Sequence, residues 1–194
     1  MKTFLTSIAL IFFIVSNCTS LCAQSNSDIK LDRSEGNKWF ASFSYGVQMS
    51  GIKSEDFVSS NYSPVYKLSF GKWITKDVAL RVGYQGRYFR TIADEIRYTY
   101  DFYSIEGVLD IRNFFSKEKR DRIYMILLHA GPGLFYHKVY DRINVHGNMG
   151  ISNVFTMSKR IKLVFDISTI IGWDIYQGDQ DILPNTSLGI LYKF

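Results

Sequence analysis

The sequence predicts an all-β protein, an eight-stranded antiparallel up-and-down transmembrane β-barrel. Apolar and polar residues alternate with a period of two from Lys38 to Phe194, the pattern of strands with one apolar face. Polar or charged turns divide this region into eight segments with no helix between them, so hairpins join the strands. The apolar faces are long and aromatic, whereas the polar faces carry charges and glycines, which favours an apolar exterior and a polar interior.

The composition suits one compact domain. The chain has 194 residues, of which 46% are hydrophobic and 16% aromatic, with 3 Pro and 2 Cys. This content argues against disorder and against a disulfide scaffold. The only long apolar run lies at the N-terminus, so a bundle of transmembrane helices is excluded.

The N-terminus has the organisation of a secretory signal peptide. A basic start at Lys2 precedes the apolar stretch Phe4–Val15 and a small-residue site that ends at Ala23. We expect cleavage between Ala23 and Gln24, which would remove both cysteines. Lipidation of Cys18 is the alternative.

Cleavage at this point divides the chain into three parts. Residues 1–23 are the signal peptide, residues 24–37 a polar tether and residues 38–194 the barrel. With both cysteines removed, the mature chain has no thiol for a disulfide, a metal site or nucleophilic catalysis.

The first three strands follow the alternation closely. Strand one places every second residue from Trp39 to Met49 on one apolar face. Strand two is predicted from about Val65 to Ile74, and strand three begins at Val78. The short segment Thr75–Asp77 joins them as a tight hairpin.

Strands four and five depart from strict alternation. Strand four, about Ile96 to Ile111, is predicted to have a bulge near Phe102 and Tyr103, where two aromatics adjoin. Strand five, Ile123 to His137, contains Pro132, which removes a ladder hydrogen bond and predicts a bulge or kink. The last three strands are predicted at Asn144–Phe155, Ile161–Tyr176 and Asn185–Phe194.

The connections alternate in charge along the chain. Those after strands two, four and six are basic turns: Lys76–Asp77, Lys117–Arg122 and Ser158–Arg160. They therefore share one end of the barrel. This arrangement accounts for much of the net charge of +5, which we do not interpret as nucleic-acid binding, because no nucleic-acid module is present.

The polar faces predict a filled lumen. Eight strands enclose an interior that side chains can fill, and unpaired charges there would be costly. We therefore expect the inward charges to pair across the barrel as a plug, with a narrow ion path as the alternative. The predicted lumen charge network is Arg81, Arg87, Glu106, Asp110, Lys162 and Asp166.

Aromatic residues indicate where the strands would meet a membrane surface. Trp39, Trp73 and Trp173 fall near predicted strand ends, the position of interfacial girdles. At the C-terminus Leu188, Ile190, Tyr192 and Phe194 alternate up to a terminal aromatic. This strand resembles the C-terminal assembly signal that the barrel-insertion machinery of bacterial outer membranes recognises.

Together these features resemble the OmpA/OmpX-type eight-stranded outer-membrane barrels, and especially the transmembrane domain of OmpA-like proteins. The matching stretches are Gly71–Ile74 with Leu80–Val82, Asp110–Phe115, Gly150–Asn153 and Leu188–Phe194. The resemblance implies a Gram-negative outer-membrane location, with outer-membrane lipids (lipopolysaccharide and phospholipid) and the barrel-assembly machinery as partners. It implies no cofactor and no catalytic residue. The periplasmic peptidoglycan-binding domain of many OmpA-like proteins has no counterpart in this sequence.

The expected function is a structural or surface-interaction role in the cell envelope. Some outer-membrane barrels of this size are lipid A deacylases or acyltransferases, and His146-Gly147-Asn148 loosely resembles the His-x-Ser arrangement of the deacylases. Asn148 stands where the hydroxyl would be and cannot act as the nucleophile, so we expect no enzyme activity. A lipid A-modifying enzyme and a periplasmic lipocalin-like carrier are the two alternatives.

Overall fold

A computed structural model describes residues 39–50, 62–90, 97–111, 123–173, 175 and 180–194. These residues form a closed barrel of eight antiparallel strands, which confirms the predicted fold class. In the described segments, no helix has the length and apolar character to cross a membrane. The strands are β1 (Trp39–Met49), β2 (Tyr62–Trp73), β3 (Val78–Arg90), β4 (Arg97–Asp110), β5 (Tyr124–His137), β6 (Arg142–Thr156), β7 (Ile161–Trp173) and β8 (Gln180–Lys193). The predicted signal peptide, the tether and the turn Lys117–Arg122 lie outside the described residues.

Each strand pairs with its neighbours in the sequence, and β1 pairs with β8 to close the sheet. The closing seam runs from Phe40 opposite Lys193 to Gln48 opposite Asn185. The barrel therefore has two distinct ends. We call the end with the connections after β2, β4 and β6 the turn end, and the other the loop end.

Two short turns at the turn end have the same construction. After β2, the backbone amides of Asp77 and Val78 donate to the Thr75 hydroxyl at 3.2 and 3.0 Å. After β6, the Ser158 hydroxyl accepts from the amide of Ile161 at 3.0 Å. A hydroxyl side chain that accepts from nearby backbone amides stabilises a tight turn, so these residues specify where the hairpins reverse.

The bulge predicted in the fourth strand is absent, so that prediction was wrong. Burial alternates without interruption through β4, with Phe102 on the inner face and Tyr103 on the outer face. The register with β3 is also uniform, from Val78 opposite Leu109 to Arg90 opposite Arg97. The two adjoining aromatics simply occupy opposite faces, because the inner face of this strand is aromatic near the loop end.

The structure has no bulge at Pro132, although one ladder of the strand is interrupted there. Pro132 lies opposite Gly147 in an unbroken ladder with β6. On its other side, the pairing with β4 stops at Gly133 opposite Ser104 and resumes at Ala130 opposite Gly107 in the same register. Proline has no N–H to donate, and here it lies where one of its two ladders is interrupted.

The other two prolines explain why two strands begin earlier than predicted. Pro64 lies opposite Val47 in the ladder with β1, while the ladder between β2 and β3 begins only at Val65. Pro184 likewise pairs with Thr169 of β7, one residue before the ladder with β1 starts. Each proline therefore lies beyond the end of one of its two ladders, so the strand continues past it.

The outer face of the barrel is apolar. Phe43, Leu80 and Ile167 are 52%, 51% and 52% exposed although each lies within a strand. A face of this kind on every strand is a property of barrels surrounded by lipid.

The interior has three layers. Near the turn end an apolar cluster fills the lumen, formed by Phe40, Ala79, Val108, Met125, Leu127, Val154, Val164 and Leu191. Near the loop end is a second, largely aromatic cluster, formed by Phe89, Tyr98, Tyr100, Phe102, Phe135, Ile170, Ile175 and Leu183. Between them lies a polar layer, which is the candidate functional site.

Candidate functional site

A chain of charged side chains crosses the middle of the lumen. Lys67 Nζ of β2 lies 2.6 Å from Asp166 Oδ2 of β7. On the opposite side, Arg81 of β3 donates to Glu106 Oε2 of β4 through Nε at 2.8 Å and through its terminal nitrogen at 2.6 Å. Both pairs are largely excluded from solvent, since the carboxylate side chains are 6% and 3% exposed.

His129 of β5 connects the two ion pairs. Its Nε2 lies 2.9 Å from Asp166 Oδ1, and its Nδ1 lies 3.0 Å from Glu106 Oε2 in poorer hydrogen-bond alignment. A neutral imidazole carries one N–H, so only the doubly protonated ring can donate to both carboxylates. The imidazole thus links the two sides of the barrel.

Neutral side chains also donate hydrogen bonds to both carboxylates. Glu106 Oε1 accepts from the Ser104 hydroxyl at 2.5 Å and from Asn148 Nδ2 at 2.8 Å. Asp166 Oδ1 also accepts from the Ser152 hydroxyl at 2.5 Å. A buried charge is tolerated when it has an opposite charge and enough hydrogen bonds, and both carboxylates meet that condition.

The polar layer leaves little free space. A cavity of about 40 Å³ lies beside Lys67, Arg81, Glu106 and Asp166. This is room for a few water molecules at most. No group of three or more His, Cys, Asp and Glu side chains within the described ranges has the geometry of a metal site.

The structure brings together three of the six predicted network residues, namely Arg81, Glu106 and Asp166. Asp110 is also buried on the inner face, but it lies at the turn end of β4. Lys162 lies near the start of β7, where its Nζ is 3.5 Å from Met125 Sδ. Asp110 and Lys162 therefore lie at the level of the apolar cluster of the turn end, outside the Lys67–Arg81 chain.

The prediction that Arg87 belongs to the lumen is wrong. Its side chain is exposed on the outside of β3, where one guanidinium nitrogen donates to the Tyr66 hydroxyl at 2.6 Å. The backbone has a φ of 134°, which turns the side chain to the face opposite to the one that alternation predicts. Gln48 and Tyr100 occupy the lumen at this level, with the Tyr100 hydroxyl donating to Gln48 Oε1 at 2.5 Å.

Two members of the charged chain were missed, although alternation pointed to them. Lys67 shares the polar face of β2 with Ser69 and Gly71, and His129 lies on the inner face of β5. Each of them alternates with outward-facing apolar residues on its own strand, and this pattern could have placed both in the lumen. Which charges would meet depends on the register of all eight strands, which alternation does not specify.

The three tryptophans occupy strand ends, but not the same face. Trp39 begins β1 and Trp173 ends β7, and both are exposed on the outside at 40% and 66%. Trp73 ends β2 on the inner face, where its ring lies 6.1 Å from that of Phe40 against the apolar cluster. The prediction that Trp73 is interfacial is therefore wrong on its orientation, because Trp73 has the parity of the lumen-facing Gly71.

The C-terminal strand presents its predicted residues outward. Leu188, Ile190, Tyr192 and Phe194 are all on the outer face and between 37% and 55% exposed. The Phe194 amide donates to the Trp39 carbonyl at 3.1 Å, so the last residue is attached to the first residue of β1. Recognition of this strand by an assembly machinery stays a prediction.

His146 lies in the aromatic part of the lumen. Its ring is 5.1 Å from that of Phe135, and its Nδ1 is 2.9 Å from the carbonyl oxygen of the preceding Val145. Asn148, two residues along the same face, donates its amide to Glu106. This geometry holds the two side chains inside the barrel.

Comparison with solved structures identifies the architecture. The N-terminal β-barrel domain of Pseudomonas aeruginosa OprF superposes with a TM-score of 0.52 and 11% identity over 82% of this chain and 100% of that domain. Neisserial surface protein A (NspA) superposes with a TM-score of 0.54 and 12% identity over 81% of this chain and 97% of that one. The chain has the fold of the eight-stranded OmpA/OmpX-type outer-membrane β-barrels. No protein-family model and no curated protein matches the sequence.

In an eight-stranded outer-membrane barrel fold the lumen is wide enough for side chains to fill it. This chain fills it with one charge-paired layer between two layers that are mainly apolar. Such an arrangement can stiffen the barrel and exclude ions.

Proposed function

We propose that this protein is a small structural barrel of the outer membrane, whose lumen is closed and whose loop end is presented at the cell surface. The observation that supports it best is the division of polarity between the two faces of the sheet. Buried charges pair inside the barrel, while apolar side chains cover the outside. A soluble carrier of the lipocalin type has the opposite need, an apolar interior around its ligand.

Aromatic residues at the turn end fit a membrane interface. Trp39 stacks on Phe70 with 5.1 Å between ring centroids, and Phe194 lies 6.3 Å from the same Phe70 ring. Amphipathic rings are most stable at the depth of lipid headgroups. The basic residues of the adjoining turns, such as Lys76 and Arg160, would then contact anionic headgroups.

The interior supports a closed barrel in preference to a pore. The polar layer is bounded by apolar clusters towards both ends, and its charges already have partners. Ion conduction needs a path that ions can enter and leave, and moving an ion through these clusters would require breaking buried contacts.

Two measurements on the purified protein test the proposal. Unboiled protein from the outer-membrane fraction should migrate faster on an SDS gel than boiled protein, because a closed barrel resists SDS. In a planar bilayer the folded protein should give no stepwise conductance. Stepwise currents from heat-modifiable protein would refute the closed lumen, and a soluble, heat-insensitive protein would refute the membrane location.

The secretory route and the lipid partners belong to the same proposal. Cleavage after Ala23 would give a mature protein beginning at Gln24, which N-terminal sequencing or intact mass can read directly. A purely structural role also implies that lipid A is not a substrate. The lipid A mass spectrum of cells with and without the protein should therefore be identical, and a changed acyl pattern lost in His146→Ala would favour the enzyme alternative.

A further inference from the structure

Strand alternation assigns Arg87 to the lumen, but the backbone at this residue turns its side chain to the outside of the barrel. Its φ of 134° lies in a region that side-chain-bearing residues rarely adopt. Such a conformation is strained and is often associated with a functional site. The strain exposes a guanidinium group on the outer wall of the barrel near the loop end.

A second arginine and two tyrosines surround this group. The Arg87 guanidinium carbon lies 5.4 Å from the ring centroid of Tyr66 and 5.9 Å from that of Tyr88. The guanidinium carbon of Arg97, on β4, lies 5.2 Å from the same Tyr88 ring. Two exposed guanidinium groups thus share one aromatic neighbour. Arginine has five N–H donors arranged to fit a phosphate, and Tyr66 uses one donor of Arg87.

Asp101, a described carboxylate on the outer face of β4, already has a cationic partner. Asp101 Oδ2 lies 2.7 Å from Lys138 Nζ, and Asp101 Oδ1 accepts from the Tyr84 hydroxyl at 2.8 Å. Its charge is therefore compensated by Lys138. Among the described residues, this leaves Arg87 and Arg97 as two cations with no carboxylate partner.

An apolar groove lies on the outer face of the same strands, nearer the turn end than the two arginines. It has a volume of about 660 Å³. Its apolar walls include Leu68, Phe70, Val82, Ile105, Leu134 and Val145. The groove approaches the Arg87 side of the site, because Leu68, which lines it, is two residues from Tyr66 on the outer face of β2 and lies opposite Tyr84 of β3. Two residues along a strand span about 7 Å. This is similar to the distance between the headgroup of a lipid and the start of its acyl chains.

We propose that this groove and the arginine pair form a binding site for one phosphate-bearing membrane lipid. The phosphate accepts hydrogen bonds from Arg87 and Arg97, and an acyl chain lies in the groove along Leu68 and Val82. The inference rests on the proposed membrane location, since the ligand is a lipid of the surrounding leaflet. The charge of the pair selects a phosphorylated lipid over a neutral one, and the groove selects a lipid over free phosphate.

Native mass spectrometry of the folded full-length mature protein, released from neutral detergent, tests the site. The probes are dimyristoyl phosphatidic acid, dimyristoylglycerol with the same chains and no phosphate, and inorganic phosphate. Phosphatidic acid should be retained at least tenfold more than either of the other two, because only it engages both parts of the site. Equal retention of dimyristoylglycerol would overturn the role of the arginines, and equal retention of inorganic phosphate would overturn the role of the groove.

Variants with matched controls separate this site from general lipid adhesion. The double variant Arg87→Gln with Arg97→Gln should lose at least tenfold in phosphatidic acid retention. Lys72→Gln is its control, because Lys72 lies 4.9 Å over the Trp39 ring at the opposite end of the barrel and should be neutral. Val82→Trp, which fills the groove, should also reduce retention several-fold, whereas Ile167→Trp on the far wall should not.

Failure of the site and failure of the proposed function give different results. If wild type and the double arginine variant are both heat-modifiable and retain phosphatidic acid equally, the lipid site is refuted and the structural barrel stands. If the wild-type protein is soluble without detergent and not heat-modifiable, the membrane location is refuted, and the lipid site with it. A gel of boiled and unboiled samples accompanies every variant, so a misfolded protein is not scored as a loss of binding.

Discussion

At the scale of single residues, the charges inside the barrel depend on partners from other strands. Glu106 is 3% exposed and receives hydrogen bonds from Arg81, Ser104 and Asn148. Removal of one partner from a buried ion pair leaves the other charge uncompensated, which costs more than the intact pair contributes. The stability of the barrel is therefore more sensitive to the loss of one charge from the polar layer than to the removal of a complete ion pair.

Arg81→Ala should lower the free energy of unfolding by about 3–5 kcal/mol, because Glu106 would stay buried without its guanidinium partner. Urea titration of protein folded in lipid vesicles, followed by tryptophan fluorescence, measures the change. Arg81→Met combined with Glu106→Gln should recover a large part of the loss. A double variant no more stable than Arg81→Ala would contradict this account of the plug.

Arg87→Gly should stabilise the barrel by about 1 kcal/mol. Glycine adopts a φ of 134° without steric cost, although part of the gain is offset by its greater entropy when unfolded. The same urea titration reads the effect, with Arg97→Gly as the control at a position that has no positive φ. A loss of stability in Arg87→Gly larger than that in Arg97→Gly would show that the backbone here is not strained.

At the scale of strands, glycines on the inner face allow neighbouring backbones and side chains to fit the narrow lumen. A Cβ at Gly150 of β6 would lie 2.6 Å from the Ile167 carbonyl oxygen and 2.7 Å from Ser168 Cα. At Gly147 of the same strand, the nearest atom would be the Ile171 carbonyl oxygen at 3.8 Å, an ordinary contact. The two positions differ because Gly150 faces the lumen and Gly147 faces outward.

Gly150→Ala should therefore destabilise the barrel by about 1–3 kcal/mol through overpacking, while Gly147→Ala should be close to neutral. The temperature at which the fast-migrating gel band disappears gives a direct comparison of the two. Equal temperatures for both variants would mean that β6 and β7 can separate slightly at no cost.

The alternation of residue types was sufficient to predict which face of each strand is apolar, and so which charges could enter the lumen. The same alternation could also have placed Lys67 and His129 on the inner face. It could not predict the register of the strands, because contacts such as that of Glu106 with His129 depend on how neighbouring strands are offset. Arg87 and Pro132 show a second limit, since a single φ angle or a local gap in a ladder is decided by the packing of residues far away in sequence.

At the scale of the whole molecule, the cost of a charge on the outer face depends on the depth of that position in the bilayer. Ile167 lies in the middle of β7 and is 52% exposed, whereas Ile161 begins the strand at the turn end and is 40% exposed. An arginine at the bilayer midplane of such a barrel costs about 2–4 kcal/mol and far less near the interface.

Ile167→Arg should accordingly reduce stability in lipid vesicles by about 2–4 kcal/mol, and Ile161→Arg by less than about 1 kcal/mol. Both can be measured by reversible folding into vesicles of defined thickness. If the two substitutions had the same small effect, the outer face would be facing water, and the protein would have to be reconsidered as a soluble barrel.

The seam between β1 and β8 also imposes an order on assembly. Phe40 of β1 pairs with Lys193 of β8, so the first strand to be synthesised cannot complete its pairing until the last strand is available. Until this seam forms, the edges of β1 and β8 expose unpaired backbone amides and carbonyls, which can pair with another chain. Closing the ring joins two strands that are far apart in the sequence, so it is expected to be a slow step of folding, and the unclosed sheet is prone to aggregate while it lasts.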